Sequence, residues 1–311
     1  VYGTEGSISY NHNNLFKGGE KFMSSIKGGL ETQLLYSDTI ENNNAFNTFE
    51  IGPEFRFLIP KYFLINKLKR LSSHVNSRTE ITAAINYQKR PDFIRLNQEL
   101  SFGWIFHEKK EITWHINPLL ISAVDIDLDP LYEIQINSLN DQFIATSFLD
   151  HIIAGGLFSF EYNGQNLNIE KPEFYAKATF ESAGGALYRF HELSGRKKDS
   201  LTNTYYDLFN IRYSHFQKFS LDLRYYQPIF FNSKLVYRFF AGIGIPNNNQ
   251  REALPFEKSF FSGGSNGMRA WKVRSLGPGG YLDSSERFDK IGDIKLESNI
   301  ETRFPISRNY S

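Results

Sequence analysis

The chain of 311 residues carries 35 Lys and Arg against 34 Asp and Glu, and a net charge of +1 supplies no field to gather nucleic acid over its surface. It has no cysteine, which excludes disulfides and Cys-ligated structural zinc, and its aromatics, 16% of residues and mostly Phe and Tyr, favour sheet over helix packing. Mean hydropathy is -0.41 and no apolar run reaches the ~18 residues of a membrane helix, so any crossing of a bilayer must be made by strands whose apolar residues alternate.

Residues 3–12 alternate, and the turn at 13–20 hands over to a run of about 15 residues ending at Tyr36. One parity of that run holds Phe22, Ile26, Leu30, Leu34 and Tyr36, and the other holds Lys27, Glu31 and Gln33. A third run sets Phe49, Ile51, Phe55 and Phe57 against Thr48, Glu50, Glu54 and Arg56. A hairpin follows over 79–90 and 94–106, its second arm alternating Ile94, Leu96, Leu100 and Phe102 with Arg95, Asn97, Glu99 and Ser101. Residues 111–120 form a sixth strand, and 121–141 is less regular. Further strands are expected near 144–162, 172–182, 205–214, 217–227 and 234–245, with one more between the loop at 259–280 and the final run. That final run carries Ile294, Leu296, Ile300 and Phe304 on one face and Asp293, Lys295, Glu297, Asn299, Glu301 and Arg303 on the other.

Sandwich strands are mostly ~5–6 residues long and turn mild polar residues to water. Runs twice that length, aromatic on one face and charged on the other, match the ~9–11 residues per crossing of a transmembrane barrel. The fold class read here is therefore all-β, a transmembrane antiparallel β-barrel of which about 13 strands are present. An odd count conflicts with the even number usual for such barrels, so further strands are expected after Ser311.

The stretch 259–280 is a long loop, since its glycines and Leu276-Gly277-Pro278-Gly279 suit neither helix nor central strand. Gly263-Gly264-Ser265-Asn266-Gly267 matches the Gly-x-Ser-x-Gly elbow of hydrolases but lacks the strand before and helix after it, so no enzyme is expected. Asp125, Asp127 and Asp129 begin like a calcium loop, but Pro130 and Ile136 stand where Gly and Glu are required. The seven histidines are scattered, so no metal site and no cofactor are expected. Arg269 is either a solvated surface charge or, if the loop folds into the lumen, the bidentate partner of an acidic column on one strand face, spaced four residues apart: Asp293, Glu297 and Glu301.

The segment Leu254-Pro255-Phe256 through Phe260-Phe261-Ser262-Gly263-Gly264 to Met268-Arg269-Ala270-Trp271 and Leu276-Gly277-Pro278 resembles the sixth extracellular loop of BamA/TamA-type outer-membrane assembly factors, the bacterial surface antigen family. Ala270 stands where that family usually has glycine in its arginine-glycine-aromatic signature, with Trp271 as the aromatic, a variant similar to the TamA-like lipoproteins of Bacteroidota. Residues 3–20 resemble the family's first hairpin, Leu221 to Pro228 its tenth strand, and Glu301-Thr302-Arg303-Phe304-Pro305 its thirteenth.

The resemblance implies a barrel of 16 strands when complete, with residues 1–311 as an incomplete C-terminal barrel domain, periplasmic POTRA repeats expected before Val1 and closing strands after Ser311. It implies a loop lock of Arg269 against Glu301, framed by Gly263, Gly264, Trp271, Asp293 and Glu297, with a second acid on the following strand. It implies a lateral seam along Gly3, Glu5, Ser7, Ser9 and Asn11 through which client strands pass. The function so implied is insertion or export of client outer-membrane or secreted polypeptides, in the outer membrane of a Gram-negative bacterium, with outer-membrane lipids and periplasmic or inner-membrane accessory subunits as further partners. A two-partner-type polypeptide secretion pore and a passive solute porin are the alternatives.

Overall fold

In a computed structural model of the chain, residues 2–32, 47–60, 77–138, 148–165, 171–198, 204–230, 233–250, 253–264, 267–277, 279 and 289–304 are described. Eleven long strands form one antiparallel sheet in the order β1 (Tyr2–His12), β2 (Lys21–Thr32), β3 (Thr48–Ile59), β4 (Arg78–Lys89), β5 (Phe93–His107), β6 (Ile112–Leu128), β7 (His151–Asn163), β8 (Glu173–Ala183), β11 (Phe216–Pro228), β12 (Lys234–Pro246) and β13 (Ile294–Arg303). β9 (Asp207–Leu208) and β10 (Ile211–Arg212) pair only with each other. Among the described residues two helices, α1 (Pro130–Ser138) and α2 (Gly185–Leu193), interrupt the connections, and no described helix is long and apolar enough to cross a membrane.

Each sheet strand pairs with its chain neighbour, apart from the step from β8 to β11, so the topology is an up-and-down wall. Its strands run from 10 to 17 residues, enough for a tilted crossing at ~9–11 residues. Short turns such as 108–111 and 229–233 lie at one end, and the long connections 129–150, 184–215 and 247–293 lie at the other. That asymmetry is the one seen between periplasmic turns and extracellular loops.

Alternation sorts the side chains as the period of two requires. On β12 and β13, Tyr237, Phe239, Ile243, Ile294, Leu296 and Ile300 are exposed outward, while Arg238, Lys295, Glu297 and Glu301 make ion pairs on the other face. The exposed apolar face is what a wall against lipid presents, and the all-β class holds with eleven strands in the sheet.

Two expected strands differ. Residues 205–214 do not join the sheet: they form the β9–β10 hairpin, whose turn residues Phe209 and Asn210 both have positive φ, 54° and 65°. The strand expected after the loop falls largely on 280–288, outside the described residues, as does the 33–36 end of the second run. The irregular stretch 121–141 has a physical cause. β6 is a single 17-residue strand, but its register shifts between Asn117 and Leu120, so the outward parity changes from Trp114 and Ile116 to Leu119 and Ile121.

The inner face is curled. Leu120 on β6, Ile153 on β7, Ala183 ending β8, Phe216 on β11 and the loop residue Leu254 form one buried cluster. A Cβ on Gly244 of β12 would collide with Leu254. Leu254 lies on Gly244 of β12 while Phe256, two residues on, meets Arg95 of β5, five strand steps away in the sheet order, so the wall curls around the loop.

Candidate functional site

The loop joining β12 to β13 lies against the inner face and is held at two places. The deeper anchor is the sequence Leu254 to Lys258, which composition and spacing did not single out as ionic. The backbone N–H of Leu254 donates to Asp293 Oδ1 at 3.0 Å, fastening the loop where β13 begins. Phe256 then lies between two guanidinium groups, Arg95 of β5 at 4.8 Å and Arg274 of the loop's return at 4.5 Å.

Glu257 and Lys258 continue around the wall. His151 of β7 donates from Nε2 to Glu257 Oε2 at 3.0 Å, and its Nδ1 lies 2.8 Å from the Leu149 carbonyl. Burial pushes the Glu257 carboxyl up, but the His151 hydrogen bond and charge, with Arg95 behind them, hold it below the usual carboxylate range. Lys258 pairs with Glu181 of β8, and its carbonyl accepts from Lys218 Nζ of β11 at 2.6 Å. Three consecutive side chains thus reach β5, β7 and β8.

The second anchor is the arginine turn. Gly263 has φ +90° and Gly264 has φ +89°, a region that L side chains rarely adopt. A Cβ on Gly263 would strike the Lys272 carbonyl, and one on Gly264 would come within 2.7 Å of Val273. The Gly264 N–H donates to the Trp271 carbonyl at 2.9 Å and closes the turn, while the Trp271 ring itself is half exposed. Arg269 projects from this turn and its Nη2 donates to Glu301 Oε1 at 2.8 Å.

That contact is single, not the bidentate pair expected. The second oxygen of Glu301 accepts from Arg303 Nη2 at 3.1 Å, so one carboxylate serves two guanidinium groups. The other two acids of the column do different work. Asp293 holds Leu254, and Glu297 pairs with Arg238 at 3.4 Å and Lys295 at 2.9 Å, directly beneath Gly267. Ala270 is an exposed turn residue, a position with room for the methyl group where the resembling family usually has glycine.

Beside this anchor runs a charge network that the sequence did not display. Arg224 and Arg238 face each other directly across β11 and β12, an arrangement that alone would be repulsive. Asp222 resolves it, accepting from Arg224 Nη2 and Arg238 Nη2 at 2.9 Å each. The alternation of Lys218, Asp222 and Arg224 on one parity was the available signal, but the cross-strand register was not.

The seam residues Gly3, Glu5, Ser7, Ser9 and Asn11 share the inward parity of β1 and pair with β2 from Glu31 to Met23. Among the described residues β1 pairs with β2 alone. The β1–β2 turn lies at the end of the sheet opposite the 247–293 loop. Among the described residues no group of three or more His, Cys, Asp or Glu is placed to hold a metal ion.

An antiparallel wall with an apolar exterior, a charged interior and a loop fastened across that interior defines a plugged outer-membrane type of β-barrel. Residues 210–310, about a third of the chain, match the Omp85 superfamily domain. Its members are β-barrel proteins of Gram-negative outer membranes that act in polypeptide insertion and translocation. The matched segment contains β11 to β13, both anchors and the Asp222 network. No curated protein matches the chain.

Proposed function

We propose that the chain is the barrel part of an outer-membrane factor that inserts or exports client polypeptides through a lateral seam, in the manner of BamA/TamA-type proteins. The observation that supports this reading most is the loop. Leu254 to Lys258 and Arg269 tie it to the inner faces of β5, β7, β8 and β13, across the space a solute would use. A passive porin keeps that space open as a water-filled channel. In this reading β1, with Gly3, Glu5, Ser7, Ser9 and Asn11 on its inward parity, forms one side of the lateral seam, where a client strand pairs through backbone donors and acceptors. Templated pairing of this kind needs neither a cofactor nor a bond made or broken.

A polypeptide secretion pore of the same superfamily shares the barrel and the loop, and differs in passing its client through the lumen. These 311 residues hold no cysteine, so cysteines introduced among them report on chosen positions of this segment in the full-length protein. Ser7→Cys and Ser9→Cys, crosslinked during synthesis of an outer-membrane barrel client, are expected to trap the client's terminal strand. Crosslinks confined to inner-face positions such as Lys218→Cys would favour the secretion pore, and no adducts at any of the three would refute both.

A further inference from the structure

The connection between β8 and β11 builds a cap, joined to the start of the 247–293 loop through Asn249, that neither loop anchor nor the seam uses. Adjacent residues of β7 separate its two sides. Ile153 packs with Leu254 on the inner face, whereas Ile152 packs with Tyr206 and Tyr213 on the outer face. The register partner of Ile152 is Ala123, and the next residues of that parity on β6, Ile121 and Leu119, are exposed on the apolar exterior. The cap therefore sits on the outward side of the wall, at its long-loop end.

It is a built structure. Asn249 donates from Nδ2 to the carbonyls of Tyr206 and Tyr213, at 3.0 and 2.7 Å, and accepts from the Tyr206 N–H at 2.8 Å. Leu187, Tyr188 and His191 of α2 pack beneath, on Tyr206 and Tyr213. Away from that packing, Phe190 and Leu193, one helical turn apart, are 65% and 88% exposed. The hairpin tip adds Phe209, 83% exposed. Phe209 sits at φ +54° in a two-residue turn that Asn or Gly would adopt without strain, at a cost of about 1–2 kcal/mol.

Basic residues surround these rings. Arg196, Lys197 and Lys198 follow α2, and residues 185–215 hold five basic side chains, with Arg189 and Arg212, against Glu192, Asp199 and Asp207. Asp207 is occupied by Arg196 and Glu192 by Arg189, while Lys197 is exposed.

We propose that this cap is a membrane-interface anchor, in which Phe190, Leu193 and Phe209 enter the outer leaflet beside the barrel wall and the Arg196-Lys197-Lys198 run lies over phosphate-bearing lipid headgroups. Two observations select lipid over a protein partner: the cap is continuous with the apolar exterior through Ala123, Ile121 and Leu119, and its surplus charge is positive. The inference rests on the exterior of the sheet being lipid-facing.

The test uses spin labels at single introduced cysteines in the full-length protein, any cysteine outside the 311 residues being replaced by serine, reconstituted into vesicles of phosphatidylcholine doped with phosphatidylglycerol. Phe190→Cys and Phe209→Cys are compared with the wall position Phe239→Cys and the turn position Lys109→Cys, reading collisions with oxygen and with a water-soluble nickel chelate. Both cap labels are expected to show the high oxygen-to-nickel ratio of Phe239→Cys. A ratio like that of Lys109→Cys, or shielding from both reagents as in a protein contact, would overturn the anchor. A nickel-accessible Phe239→Cys would instead sink the membrane reading on which it rests. Adding Lys197→Glu and Lys198→Glu is expected to shift the cap labels toward water in the anionic vesicles, and an unchanged ratio would refute the headgroup contact.

Discussion

Arg269 and Glu301 meet through one hydrogen bond, Nη2 to Oε1 at 2.8 Å, while Arg303 occupies the other oxygen of the same carboxylate. The two partners are therefore unequal. Arg269→Ala leaves Glu301 paired with Arg303, and because the Arg269 side chain is 65% exposed the loss is expected at about 0.2–1 kcal/mol. Glu301→Ala removes both pairs, and because Arg269 and Arg303 are 65% and 56% exposed the loss is about 0.4–2 kcal/mol, that of two such pairs. Thermal unfolding of both variants, followed by the mobility shift of the folded barrel, measures the order.

Asp222 is the stronger ionic site. Its side chain is only 13% exposed, and it separates the opposed Arg224 and Arg238. Asp222→Asn is expected to destabilise the barrel by about 3 kcal/mol, as breaking a buried pair does. Arg238→Met is expected to recover part of that loss in the double variant, and denaturant midpoints of the four-protein cycle give the coupling.

Phe256→Ala removes two cation–π contacts, each of about 0.5–2 kcal/mol when partly desolvated, and opens a gap between Arg95 and Arg274. The loop is expected to become protease-sensitive between Leu254 and Arg274 while the wall remains folded. Limited proteolysis of the reconstituted protein, with the membrane-protected fragments identified by mass, reads this directly.

The cap has its own pH dependence. Burial, and then the neighbouring Arg196, push the His191 imidazole below its ordinary value near 6.5, and Asp207 opposes them weakly. Its ring faces Tyr206 and Tyr213 on the packed side. The folded cap then binds fewer protons than the unfolded segment, so its stability is complete above pH 6.5 and falls as pH drops through the window below it. Hydrogen-exchange protection in 185–215, corrected for the pH dependence of intrinsic exchange, is expected to fall from pH 7 to pH 5, and His191→Gln is expected to flatten that profile.

What the sequence disclosed followed from periodicity. On β13 the alternation of Ile294, Leu296 and Ile300 with Glu297, Glu301 and Arg303 is unbroken, and the structure places each on the face its parity implies. Where a bulge shifts the register, as at Asn117 to Leu120, parity changes and one strand reads as a strand followed by an irregular stretch. The cap was misread for a related reason. Tyr205 to Tyr213 has strand-forming residues, but β9 and β10 are two residues each and turn at Phe209-Asn210, where positive φ in a phenylalanine has no sequence signature.

The candidate site was legible in part. The residues offered the acidic column of Asp293, Glu297 and Glu301 as partners for Arg269, and the choice of Glu301 came from the resemblance of the loop to the BamA/TamA-type family. The contacts of Phe256, Glu257 and Lys258 depend on the wall curling until β5, β7 and β8 converge on the loop. Curvature of that kind leaves no trace in local residue order.

The central claim is that the 253–277 loop is fastened across the interior and closes it. Single-channel conductance of the full-length protein in planar bilayers tests this most directly, with Phe256→Ala, Glu257→Ala and Lys258→Ala combined as the comparison. The account predicts small, erratic steps for the parent and large, steady steps once the three contacts with β5, β7 and β8 are gone. Large, steady steps in the parent itself, unchanged in the triple variant, would contradict it and return the barrel to the class of open pores.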